Sequence, residues 1–140
     1  MKELTFTIQH CKYIATVALA GKWTLYEFAQ IITNTVGFAF DHAFEFCNDL
    51  ENPYDSTERY SLFADEGEPG DDEAPDPGVA NTLVADVFQP GKAMLFHFDY
   101  GDDWYFLISC TGGSEIDVKR RQKKVLSTVG TPPEQYPECE

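Results

Sequence analysis

Positive charge is scarce in this chain. Ten Lys and Arg residues face 24 Asp and Glu over 140 positions, a formal charge of -14 at neutral pH. Long-range repulsion on that scale makes duplex DNA, RNA and anionic lipid poor partners, so nucleic acid is not the expected ligand. Histidine is sparse as well: His10, His42 and His97 are too few and too dispersed to form a metal motif. The four cysteines, Cys11, Cys47, Cys110 and Cys139, contain no Cys-x-x-Cys pair, which argues against a zinc knuckle and against a dithiol redox motif. Cys47 and Cys110 read as small core residues.

No apolar run approaches the roughly 20 residues needed to span a bilayer. The opening MKELTFTIQH has no signal-peptide apolar region, so a cytoplasmic protein with no membrane partner is expected. Glycine-rich phosphate loops, a nucleophile elbow, His-Glu-x-x-His and a dinucleotide fingerprint are all missing, and no cofactor is implied.

Aromatic residues are plentiful. Eleven Phe and seven Tyr can bury large areas on a pleated surface and point to a sheet-based core. The length suits one domain spanning residues 1–140.

Along the chain, Leu4, Phe6 and Ile8 alternate with polar neighbours, the period of a half-buried strand. Tyr13 to Leu19 is a second strand-like run, joined through His10-Cys11-Lys12 as a hairpin. Thr24 then offers an N-cap hydroxyl, and Leu25, Phe28, Ala29, Ile32 and Val36 form one apolar stripe. Gly37 supplies a left-handed end, so the spacing predicts a helix over 24–36. Phe44 and Phe46 mark a third strand, and Leu83, Val84 and Val87 suggest a short helix within 82–87.

Residues 65–76, DEGEPGDDEAPD, carry seven acidic side chains. With so little apolar area, the segment 65–78 is expected to be a mobile acidic loop. It lacks the calcium-loop pattern of alternating Asp or Asn followed by Gly. Further on, Met94 to Asp99 and Trp104 to Ser109 read as a hairpin. Placing Met94, Phe96 and Phe98 on the face of Trp104, Phe106 and Ile108 requires an odd loop, of three or five residues. His97, Asp99, Tyr105 and Leu107 then share the opposite face. Residues 115–124 hold five of the ten basic side chains, Lys119, Arg120, Arg121, Lys123 and Lys124, and read as a solvated edge strand or loop. Pro132, Pro133 and Pro137 hold the tail extended as a surface strap.

Three segments together carry a family likeness. Gly37-Phe38 followed by His42 and Phe46, the run Phe98-Asp99-Tyr100-Gly101-Asp102-Asp103-Trp104, and Gly130 with Pro132-Pro133-Glu134 resemble motifs of the plasmid pRiA4b ORF-3-like family. Related members are described as passenger proteins of mobile elements, and the resemblance implies a fold without an activity.

The expected architecture is α+β: a mainly antiparallel sheet of five to six strands, one principal helix on one face, and a β-grasp-like strand-strand-helix-strand opening. The expected function is that of an accessory or interaction protein with a protein partner and no catalysis. The alternative is a small hydrolase or metal-assisted enzyme that uses His42 with the Asp99–Asp103 turn, since a carboxylate beside an imidazole can orient it as a base. His42, Asp99, Tyr100, Asp102, Asp103 and Trp104 are therefore the candidate ligand-binding residues. Asp and Gly also satisfy the plain needs of a tight turn, and Trp those of a core anchor.

Overall fold

A computed structural model of the chain describes residues 2–40, 43–52, 56–61, 79, 82–99, 104–115 and 123–133. Among these, seven strands form one sheet: β1 (Lys2–His10), β2 (Tyr13–Ala20), β3 (Phe44–Cys47), β4 (Arg59–Ser61), β5 (Ala93–Phe98), β6 (Trp104–Glu115) and β7 (Lys123–Val129). Their spatial order is β4-β3-β5-β6-β1-β2-β7, and every neighbouring pair is antiparallel.

Two small helices accompany the sheet, α1 (Leu25–Val36) and the single-turn α2 (Val84–Val87). In α1 the Thr24 hydroxyl accepts from the Glu27 amide while the Glu27 carboxylate accepts from the Thr24 amide, satisfying two donors that a helix start leaves open. Gly37 ends the helix at φ 91°, where a side chain would be strained. Leu25, Phe28, Ala29, Ile32 and Val36 are buried, and the Tyr13 hydroxyl donates to the Thr35 carbonyl, tying β2 to the helix. The α2 turn docks at the corner between β2 and α1, where the Val84 amide donates to the Trp23 carbonyl and the Ala85 amide to the Gly21 carbonyl.

The alternation seen in the sequence becomes the core. Leu4, Phe6 and Ile8 of β1, Phe44 and Phe46 of β3, and Met94, Phe96 and Phe98 of β5 are fully buried with Phe28. The Phe28 ring lies 4.8 Å from Phe6 and 5.9 Å from both Phe46 and Phe88, distances at which ring quadrupoles add to burial. Cys47 and Cys110 are buried in the same layer of strands.

The expected architecture needs correction. Among the described residues the sheet has seven strands, not five to six, and its helices are two small segments instead of one principal helix. The β-grasp-like opening fails too, because β3 lies between β4 and β5, away from β1. The extra strands escaped the sequence for physical reasons. β4 is three residues long, too short to show a period. β7 is exposed along its whole length, so no burial imposes an alternation on it. The expected acidic loop at 65–78 lies outside the described residues.

Candidate functional site

The β5–β6 hairpin pairs Phe98 with Trp104, leaving residues 99–103, a loop of five. Met94 faces Ile108 and Phe96 faces Phe106, the register expected from the sequence. Asp99 is buried at φ 64°, and its amide donates to the Ala43 carbonyl at 2.9 Å, so the start of β3 and the hairpin end meet there. His42, Tyr100, Asp102 and Asp103 lie outside the described residues, as does Gly101.

Trp104 is only partly buried. Its ring sits 4.9 Å from Phe38, 5.3 Å from His10 and 6.4 Å from Phe106, and its indole nitrogen is buried without an acceptor among the described residues. The His10 Nδ1 faces the Tyr105 carbonyl at 3.1 Å, and a carbonyl can only accept, so that nitrogen carries the proton.

On the face of the sheet opposite α1, register aligns Glu45 with His97 and His97 with Tyr105. The His97 Nδ1 is 3.3 Å from one Glu45 oxygen, and the Arg59 Nε is 3.6 Å from the other. The His97 ring stacks on Tyr105 at 4.3 Å and 14°. Beside them, burial and then the Glu45 charge push the Cys47 thiol up to about 11, so it stays protonated at neutral pH and is no nucleophile. His97 itself is 3% exposed, which keeps its ring from a solvent-borne substrate. The row is an ion-paired packing feature. Its signal was present in the sequence, since Glu45 between Phe44 and Phe46 had to face away from the core. Among the described residues no three His, Cys, Asp or Glu side chains gather to hold a metal ion.

The third region is the β7 end of the sheet. Val125, Leu126 and Val129 are 52%, 50% and 61% exposed, unusual for large apolar side chains within a strand. A bulge interrupts pairing with β2: Val17 opposes Val125 and Thr16 opposes Ser127, so Leu126 is the extra residue. Between α1 and β7 runs a groove of about 270 Å³, with Ile31 and Thr35 on one wall, Val125 and Lys124 on the other, and Val17 beneath. The Lys123 ammonium lies 5.4 Å from the Trp23 ring centroid. Sequence reasoning found the lysines of this edge and missed its apolar residues.

A profile of plasmid pRiA4b ORF-3-like proteins matches residues 10–136, most of the chain. The chain belongs to the plasmid pRiA4b ORF-3-like protein family. No curated protein matches it significantly. Among solved structures, the pRiA4b ORF-3-like fold seen here is similar to that of MM3350, a protein of unknown function from Methanosarcina mazei Go1. The TM-score is 0.61 at 16% identity, over 89% of this chain and 69% of that one. At that identity the likeness speaks for the fold alone.

Proposed function

We propose that this pRiA4b ORF-3-like protein is a non-enzymatic interaction protein that binds an extended polypeptide by adding it as a strand to the outer edge of β7. The observation that carries this reading is the exposure of all seven residues of β7, with three large apolar side chains among them. Among the described residues no strand pairs with that outer edge. An open edge presents a row of backbone donors and acceptors, and strand addition satisfies them while covering apolar side chains. A cytosolic setting is part of the proposal. It is in keeping with the lack, among the described residues, of a helix long and apolar enough to cross a membrane.

The test is selection of random heptapeptides, matched to the seven-residue strand, on the intact protein, followed by measurement of their binding to Leu126→Lys. Strand addition predicts that binding is lost in that variant and that bound peptide slows hydrogen exchange at the amides of 123–129. Unchanged affinity for the variant, or protection confined to another part of the sheet, would remove the reading.

A further inference from the structure

We infer that the β7 edge selects an extended segment lying antiparallel to it, apolar along its first residues and acidic at its C-terminal end. This inference rests on the strand-addition reading and names the partner class.

The asymmetry of β7 is what separates the two ends of such a segment. Lys123 and Lys124 occupy its first two positions, while Val125, Leu126 and Val129 stand among the five that follow, with Ser127 and Thr128 between them. Lys124 lines the groove beside Val17, Ile31 and Val125, so positive charge and apolar surface adjoin within one site. Among the described residues no carboxylate pairs with either lysine, although acidic residues outnumber basic ones by 24 to 10 in the chain. Two adjacent cations that meet no carboxylate among the described residues complement an acidic ligand at that end.

Every strand pair in the sheet is antiparallel, and a further antiparallel strand continues the same ladder. In that direction the C-terminal residues of the added segment lie opposite Lys123 and Lys124, and its first residues lie opposite Val129. Carboxylates therefore belong at its C-terminal end. A second copy of this chain fits less well. Two molecules of charge -14 repel, and in an antiparallel pair of β7 edges Lys123 and Lys124 would lie opposite Val129 and Thr128, with no carboxylate to meet them.

The experiment uses the intact protein and three synthetic peptides: Val-Thr-Val-Thr-Val-Glu-Glu, the same peptide ending in Lys-Lys, and the reversed order Glu-Glu-Val-Thr-Val-Thr-Val. The first should bind about threefold to tenfold more tightly than either other, the range that two exposed ion pairs support. In the double variant Lys123→Glu with Lys124→Glu the preference should invert toward the Lys-Lys peptide. Equal binding of the Glu-Glu and Lys-Lys peptides, with both lost in Leu126→Lys, would overturn the acidic partner and leave strand addition standing. Equal binding of the reversed peptide would overturn the orientation. Peptides indifferent to Leu126→Lys would overturn strand addition itself. A concentration-dependent dimer in sedimentation, abolished by Leu126→Lys, would assign the edge to a second copy and overturn the inference.

Discussion

β1 and β7 are both regular strands of one sheet, yet they are held in place by different forces. β1 lies between β6 and β2, with Leu4, Phe6 and Ile8 fully buried. Among the described strands β7 has one neighbour, and none of its seven residues is buried. Hydrogen bonding to a sheet does not imply burial. β1 is fixed by apolar area removed from water, whereas β7 is held by its ladder with β2 and leaves its side chains exposed. The buried strand and the exposed strand should therefore be separable by mutation.

The largest effect should come from the buried layer. Phe28→Ala removes a ring that touches Phe6, Phe46 and Phe88, and should cost about 3 to 5 kcal/mol in urea unfolding. A loss below about 1 kcal/mol would mean that the helix face is not the anchor, and the contrast with β7 would fail. Next is the corner that seats α2. A Cβ added at Gly21 would come 2.6 Å from the Ala85 Cβ, and neither atom is the end of a flexible chain. Gly21→Ala should therefore destabilise by about 1 to 3 kcal/mol through overpacking. The double variant Gly21→Ala with Ala85→Gly should recover part of that loss.

The sheet has a second edge, and it sharpens the comparison. Just before β4, Glu58 accepts a 2.7 Å bond from the Lys92 ammonium and another from the Tyr60 hydroxyl. Burial of Glu58 works against its charge, but these two hydrogen bonds outweigh it and hold the carboxyl below its ordinary 4.5. A lowered folded value means that the pair stabilises above pH 4.5 and that this contribution is lost as the pH falls through the lower folded value. Lys92→Met should therefore reduce the melting temperature at neutral pH, with the gap to the parent protein closing in acid. The effect should stay under about 1 kcal/mol because the pair is partly solvated. A gap that persists unchanged at low pH would assign the loss to the lysine stem. Here a carboxylate meets the lysine, and at β7 none does among the described residues.

How much of this was legible depended on burial. The strands of the core showed themselves because one face of each is dry, which writes a period of two into Leu4-Thr5-Phe6 and Phe44-Glu45-Phe46. The α1 helix was legible from Thr24 to Gly37, and matching faces called for an odd hairpin loop of three or five residues, of which five is found. For β7, only Lys123 and Lys124 were read, as part of a basic edge strand or loop over 115–124, since the rest of its sequence answers to no interior. The candidate residues of the hairpin turn were chosen by motif. Asp99 proved to be buried and bonded to Ala43, and Trp104 to be half buried against Phe38 and His10, both positions that packing and turn geometry account for.

The smallest expected effect is also the one that most directly tests the division between the two regions. Leu126 is 50% exposed and is the extra residue of the β7 bulge, so it opposes no single partner on β2. Leu126→Thr keeps a β-compatible side chain and removes apolar surface that is already half open to water. Its unfolding free energy in urea should match that of the parent within about 0.5 kcal/mol, the usual range for surface positions, with an unchanged slope. Should Leu126→Thr instead cost as much as a buried leucine, about 2 kcal/mol or more, Leu126 would be packed and the edge would not be open. Stability retained alongside loss of heptapeptide binding would establish that this leucine is kept for a partner, because folding has no use for it there.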